Sequence, residues 1–414
     1  MRRSAPIPIR GSASGAGPRE IVARALIAGA GIAGLATALA LAKSGFEAIV
    51  FERKSELAEF GAGLQITPNA SRILRKLGAL EGALHFGTLP QAIVIRRGGD
   101  DSELARLPLE DAETRWGAPY FIIHRADLQQ ALADACLATT GVDLRLGFKV
   151  AGVAETDAGV SLGLKHGLLT IQENGDFAVG ADGLRSKIRA RLGFGQPEDI
   201  AFSGRVAFRA TVPAGALPKA FSAPLVNLRL GGRAHLVHYP LRHSSVVNLV
   251  ATIEAGWRPK AGEDPWDAEA DIDALKRAFA SWSRESRDLI AQAEGWRAWP
   301  LYVRPPISSY AAGRIALVGD AAHPMVPFLA QGAGQAIEDA GALARCLEGG
   351  AEISSGLAAY SASRAPRAGR IQRDALTQAK IYHMSGPLAL ARDLTMRALG
   401  PERLLKRYDW IYSA

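Results

Sequence analysis

Three glycine-punctuated turns hold most of the residues able to do chemistry here. The first is Gly29-Ala30-Gly31-Ile32-Ala33-Gly34. Glycines at this spacing suit a tight turn (Gly29), close approach of backbone to a diphosphate (Gly31) and close helix–strand packing (Gly34). A helix that starts there aims free N–H groups and about half a positive charge at an anion. Glu52 follows eighteen residues beyond Gly34, where a carboxylate accepts from ribose hydroxyls and repels a 2′-phosphate. The second turn is Val179-Gly180-Ala181-Asp182-Gly183; an Asp-Gly pair alone is an ordinary turn. The third runs Val318-Gly319-Asp320-Ala321-Ala322-His323-Pro324 and continues to Gln331-Gly332-Ala333-Gly334. Asp320 ends an apolar run where it can accept from a polyol, and a helix starting near Gly332 presents its positive end to an anion developing on a ring. His323 reads as a buried, hydrogen-bonded histidine rather than a catalytic group.

These groups need a scaffold, and the pattern supplies one. Ala25–Ala28 reads as a strand, then a helix to Lys43, a stop at Gly45 and a second strand to Glu52: a βαβ opening. Ala25–Ala42 is uncharged and long enough to suggest a membrane helix, but its spaced glycines oppose that reading. Ile93–Arg97 and Leu104–Pro108 form a hairpin, and Arg125–Thr139 is helical. Alternating runs Val206–Thr211, Val226–Leu230, His235–Tyr239 and Val246–Thr252 predict an antiparallel sheet. A helical block spans Ala268–Ile290, Arg314–Gly319 is a buried strand, and Gly332–Leu347 is a helix. The fold class is therefore α/β: a Rossmann-type dinucleotide domain interleaved with a β-sheet substrate domain and a helical C-terminus. The dinucleotide domain is discontinuous, taking 23–90, 120–200 and 305–350. The substrate domain takes 91–119 and 201–304, and a helical region takes 351–414. Residues 1–22, rich in Arg, Pro, Gly and Ser without an apolar stretch, read as a disordered tail rather than a secretory signal.

Bulk properties exclude several classes. Of 414 residues, 48% are hydrophobic and 22% charged, the balance of a chain with a real core. A net charge of +8 is mild at this length and forms no basic stripe, so nucleic acid is not an expected partner. Two distant cysteines, Cys136 and Cys346, give neither a disulfide framework nor a metal site, and a reducing cytoplasm is the expected location.

In order, spacing and wording, the three motifs resemble those of the class A flavoprotein monooxygenases, the aromatic-ring hydroxylases of the p-hydroxybenzoate, salicylate and 6-hydroxynicotinate type. The resemblance runs from about Ala25 to Asp339. It implies that FAD is the bound dinucleotide, held at its diphosphate by Gly29, Gly31 and Gly34 with Ile32 and Ala33 in the same turn, and at its ribose by Glu52 with Arg53 beside it. It further implies Arg125 at the phosphate and ribityl region, Val150 at the adenine, and Asp182 and Gly183 serving both FAD and the nicotinamide donor. Asp320 falls at the ribityl chain, Gly332, Ala333 and Gly334 at the flavin pyrimidine, and Gly63 and Leu64 in a glycine-rich loop beside the flavin. The implied reaction takes NADH or NADPH as a transient co-substrate and O2, and inserts one oxygen atom into a small aromatic acid or phenol through a flavin C4a-hydroperoxide. A wider, apolar pocket would suit epoxidation or attack on a tetracycline-type antibiotic, and a non-oxygenase FAD- or NAD-binding protein is a further alternative.

Residues of the substrate pocket are less legible. On an alternating strand His235 and Tyr239 share one face and His238 the other, so either pair or single residue can serve as base or orienter. Arg209 and Ala207 share a face of the preceding run, and Arg209 suits a carboxylate. Pro327 and Phe328 are placed to roof the flavin's reactive side. No metal ligand set is expected, and the protein is expected to be a monomer or homodimer.

Overall fold

Parallel pairing organises the half of the protein that carries the glycine turns. A computed structural model describes residues 23–57, 63–256 and 268–414; the expected tail 1–22, and Gly61 and Ala62, lie outside them. Six strands line up in the order Ala311–Ala312, Ile315–Leu317, Phe177–Gly180, Arg24–Ala28, Glu47–Glu52 and Val142–Leu146. All neighbours are parallel except the first pair. Strands buried on both faces read as apolar runs, which is why Arg24–Ala28 and Phe177–Gly180 are buried almost throughout.

The Ile32–Lys43 helix is buried from Ile32 to Leu41 except Ala33. It is apolar all round because it is enclosed by protein: it packs on the Arg125–Leu137 and Gly332–Leu347 helices. The Ala25–Ala42 stretch is thus strand, turn and helix, and among the described residues no helix is long and apolar enough to cross a membrane. The Pro68–Leu77 helix begins on a proline and ends at Gly78 in the left-handed region, as its sequence directs.

The second large sheet has eight strands: Ala268–Glu269, Arg297–Val303, Ala201–Pro213, Val246–Glu254, Ala234–Leu241, Leu225–Gly231, Ala92–Arg97 and Glu103–Pro108. Only the contact between Leu225–Gly231 and Ala92–Arg97 is parallel. One face packs against two helices, Ile272–Ala278 and Arg284–Gln292, through Leu275, Phe279, Leu289 and Ile290. The expected helical block Ala268–Ile290 is thus two helices, with Ala268–Glu269 a short strand before them. Asp271 caps the first helix by accepting from the Ala274 amide, and Ser283 caps the second by accepting from Ser286. Two antiparallel hairpin turns between Lys149 and Gly175 make a separate three-stranded sheet. The region after Lys149, expected to return to strand, does so, and the Arg297–Val303 strand is one that periodicity left undefined.

Candidate functional site

The three turns meet because glycines allow their backbones to touch. A Cβ on Gly34 would lie 1.8 Å from the Gly29 carbonyl oxygen, and one on Gly29, at φ +107°, would lie 2.6 Å from that of Ala181. A Cβ on Gly319 would meet that of Ala33 at 2.8 Å. One residue from each motif therefore packs around the start of the Ile32–Lys43 helix. Gly31 differs: nothing lies within 4 Å of where its Cβ would stand. The first turn of this helix carries no acidic side chain and no side-chain cap, so an anion in the open space meets unneutralised N–H groups.

Carboxylates border that space. Glu52 accepts from the Ala30 amide at 3.0 Å and the Lys54 amide at 2.9 Å, which fixes it beside the turn. Asp182 accepts from the Lys187 amide at 2.8 Å through one oxygen, while its buried Oδ1 has no partner among the described residues. Burial pushes the Asp182 carboxyl above its ordinary range, against Ser186 and backbone donors that favour the anion. Asp320 is exposed at its turn. The turn is held from behind by buried Arg189, which donates to the Ala321 and Ala322 carbonyls at 3.3 and 3.0 Å. Burial pulls this guanidinium down to about 10.

A second, largely buried network ties the Asp320 turn to the helix beginning at Gly332. Asp339 accepts from the Gly319 amide at 2.9 Å, from His323 Nε2 at 2.5 Å and from Arg364 Nε at 2.7 Å. Burial opposes ionisation of Asp339, but His323 and Arg364 outweigh it and hold the carboxyl below its usual range. Glu338 receives Asn69, Gln335 and Arg367. His323 is thus structural in its bonding. Ala330, just before the helix, sits at φ 52°, a strained position for an L-residue.

The eight-stranded sheet settles which strand residues share a face. Cross-strand partners point the same way, and the register pairs Arg209 with Val250 and Val250 with Val237; Ala207 with Thr252 and Thr252 with His235; and Tyr239 with Asn248. Arg209, His235 and Tyr239 therefore face one side, towards the nucleotide half. There the ring of His235 lies 5.2 Å from Phe328 and 5.4 Å from Tyr382, and the Arg209 guanidinium sits 4.8 Å over Trp299. Tyr239 occupies the room left by Gly63, whose amide donates to Asn248 at 3.1 Å. His238 is not brought to this group. It points to the opposite face, bonded at 2.9 Å to Arg229 and edge-on to Phe221; strand alternation that puts His235 inside the site necessarily turns His238 away.

The remaining candidates are carried by other elements. Leu64 is in the Gly63–Ile66 strand, paired with Phe121–His124. Half-buried Arg125 heads the Arg125–Leu137 helix close enough for its charge to be felt at Arg209. Val150 is half-buried on the Lys149–Thr156 strand, Arg53 and Gly183 border the turns, and Pro327 opens the short helical turn that carries Phe328. Among the described residues no cluster of His, Cys, Asp or Glu could hold a metal.

A family description, FAD binding domain, matches residues 23–375. The chain is 39% identical over 394 residues to the 3-amino-4-hydroxybenzoate 2-monooxygenase PtmB3 of Streptomyces platensis, covering 94% of this chain and 95% of that one. It is 36% identical over 390 residues to 3-hydroxybenzoate 6-hydroxylase 1 of Aquipseudomonas alcaligenes, covering 94% and 96%. Its fold superposes on Klebsiella pneumoniae HpxO complexed with FAD and uric acid with a TM-score of 0.82, at 25% identity, covering 93% and 95%. The chain belongs to the FAD-dependent aromatic-ring monooxygenases.

As a member of this family the protein is an FAD-dependent monooxygenase of an aromatic substrate, and its residues are of the kinds that would hold the cofactor. The space at Gly31 is open where a diphosphate would lie, the Oδ1 of Asp182 is unpartnered and would accept a hydrogen bond, and Asp320 is exposed where it would accept from a polyol. Sequence reasoning missed the groups that brace the turns and the sheet face: Arg189, Asp339, Arg364 and Trp299. Glu338-Asp339 stood in the third motif, but nothing local signalled that Arg364 and Arg367, on the Ile353–Tyr382 helix, would neutralise that pair.

Proposed function

We propose that this flavoprotein hydroxylates a small benzoate bearing a ring hydroxyl, with NADH or NADPH as reductant and O2 as oxidant. One arrangement carries the reading: Arg209, whose Nε has no partner and which no carboxylate neutralises among the described residues, shares a face with His235, whose Nε2 makes no hydrogen bond there. A cation and an imidazole on one apolar face match a carboxylate and a phenol on one ring. The relatives named for 3-hydroxybenzoate and 3-amino-4-hydroxybenzoate are named for compounds with both groups.

Bound FAD supplies hydride acceptance and oxygen activation. Arg209 receives the substrate carboxylate. Burial draws its guanidinium down only to about 10, so it stays cationic at neutral pH. His235 is pulled well below the ordinary histidine value by burial, then by His383 and Arg205, and is neutral and able to accept a proton. Taking the phenolic proton raises the electron density of the ring carbon to be hydroxylated. Burial pushes the Tyr239 phenol up, so it remains a donor that orients rather than a base. Phe328, Trp299 and Val250 keep water from the face. The two free cysteines are in keeping with a reducing cytoplasm.

The test is NADH and NADPH oxidation by FAD-loaded protein with 3-hydroxybenzoate, 3-amino-4-hydroxybenzoate and salicylate, with product mass and peroxide measured. Stimulated oxidation yielding a product one oxygen heavier supports the reading. Stimulation that yields only peroxide, or none with any member of the panel, overturns it.

A further inference from the structure

We propose that His383 and Glu254 form the proton exit for His235, carrying the substrate's phenolic proton from the closed face to solvent and fixing which nitrogen of His235 acts as the base. The proposal rests on the reading of His235 as the group that meets the phenol. It concerns two residues on other elements, outside the three glycine motifs in sequence.

The geometry is a continuous chain. His235 Nδ1 lies 2.9 Å from His383 Nε2, and His383 Nδ1 lies 3.3 Å from Glu254 Oε1. His235 and His383 are buried, whereas the Glu254 side chain is 28% exposed. The chain therefore begins at the Phe328 side and ends at water. His383 is held in place by its carbonyl, which accepts from the Arg233 amide at 3.0 Å.

Hydrogen-bond direction follows from the carboxylate, which only accepts. Glu254 requires a proton on His383 Nδ1. Neutral His383 then has a bare Nε2, which requires a proton on His235 Nδ1. Neutral His235 is left with a lone pair on Nε2, the nitrogen with no partner. Arg205 competes, since its Nε lies 3.4 Å from His383 Nδ1 and would need that nitrogen as acceptor. The carboxylate is the nearer of the two and its bond is charge-assisted, while Arg205 is already engaged by Glu254 at 2.8 Å and by the Ser203 carbonyl.

Charges around the pair keep both rings neutral. Arg205 comes from the Ala201–Pro213 strand, Glu254 from Val246–Glu254, and Arg233 precedes the His235 strand and lies 3.5 Å from Glu254. Arg392 approaches from the Gly386–Lys406 helix, and Phe328 and Tyr382 close the remaining sides. Burial first, then Arg205, lowers His383 to about 4 against the opposing pull of Glu254. A neutral pair with an anionic end can pass a proton without storing charge on either ring.

The step balances. The substrate O–H bond breaks as a bond forms at His235 Nε2. The Nδ1 proton of His235 passes to His383 Nε2, the Nδ1 proton of His383 passes to Glu254, and Glu254 releases it to water. The same path run backwards returns a proton to the product.

The experiment uses oxidised, FAD-loaded protein without reductant, so no turnover is needed. Binding of 3-hydroxybenzoate, 3-amino-4-hydroxybenzoate and salicylate is followed by ultraviolet difference spectra across pH, reading phenolate against phenol, and phenolate formation is timed after rapid mixing. Wild type is expected to ionise the bound phenol at least one pH unit below its value in water. E254Q and H383F are expected to slow phenolate formation at least tenfold and raise the bound phenol's apparent pKa by at least one unit, with ligand affinity at low pH changed less than threefold. Imidazole-nitrogen NMR of wild type, assigned with H235N and H383F, is expected to show protons on Nδ1 of both rings. A purely packing role would move affinity and leave ionisation alone, which overturns the exit. So do unchanged rates in both variants, a proton on His235 Nε2, or a bound phenol that titrates in wild type as it does in water. If wild type binds none of the three phenols, the functional reading itself falls and the exit falls with it.

Discussion

Asp339 and His323 are joined at 2.5 Å, both fully buried, with Arg364 closing the other side of the carboxylate at 2.7 Å. This bond connects the turn that presents Asp320 to the helix that begins at Gly332. Replacing Asp339 by Asn leaves the Arg364 charge with less compensation in the interior, and removing one partner of a buried ion pair costs about 3–5 kcal/mol. In urea titrations D339N is expected to lose about that much unfolding free energy, with a lower midpoint, and to lose FAD readily on gel filtration. Stability equal to wild type would show that Glu338 alone suffices for Arg364.

Gly31 and Gly34 are expected to respond to alanine in different ways. A methyl at Gly34 collides with the Gly29 carbonyl, whereas one at Gly31 meets open space. Apo G31A is expected to melt like wild-type apoprotein but to bind FAD at least tenfold more weakly, about 1.4 kcal/mol. G34A is expected to lower the melting temperature of the apoprotein as well. Thermal melts with and without added FAD separate the two effects.

Arg209 is expected to govern substrate affinity. Truncating one partner of a buried charged pair costs about 2–5 kcal/mol. R209M should therefore raise KM for a hydroxybenzoate by roughly thirtyfold or more, and should affect the corresponding phenol without a carboxylate far less. Equal losses with both compounds would remove Arg209 from the carboxylate role.

Stability should fall on acidification through the buried histidines. His235, His238 and His383 all have folded values below the ordinary one, with burial the first cause in each. The unfolded chain then binds more protons than the folded one below about pH 6.5, so the contribution present above that value is lost as pH drops from there towards 4. Urea midpoints at pH 7.5 and 5.0 measure the slope. H238L, outside the proposed site, is expected to lower the slope by about one proton without altering the bound-phenol titration.

How far the sequence could be read depended on whether the deciding contact was local. The Gly29 turn, the Gly332 helix and the alternation of His235 and Tyr239 are short-range patterns with one steric or periodic explanation, and the structure places these elements where the patterns put them. Alternation also showed that His238 and His235 must part, but not which of them turns towards the nucleotide half. That depends on Phe328 and Tyr382, which arrive from other parts of the chain. His383 ends a long helix with no motif around it, and becomes legible only when that helix brings it within 2.9 Å of His235. The helical block after Ala268 divides in two for a local reason, the capping side chains of Asp271 and Ser283, which compete with helix continuation.

The single parallel junction in the eight-stranded sheet, Ile93 beside Val226 and Ile95 beside Leu228, has a consequence for biosynthesis. The Ala92–Pro108 hairpin emerges from the ribosome long before the strand that covers its inner edge. Until then it presents unpaired backbone on an apolar ribbon, the kind of edge that recruits other chains. Assembly of the pocket must wait for a distant segment, which makes it a slow, long-range step. Yield of soluble protein at high expression temperature should therefore be sensitive to substitutions along this seam.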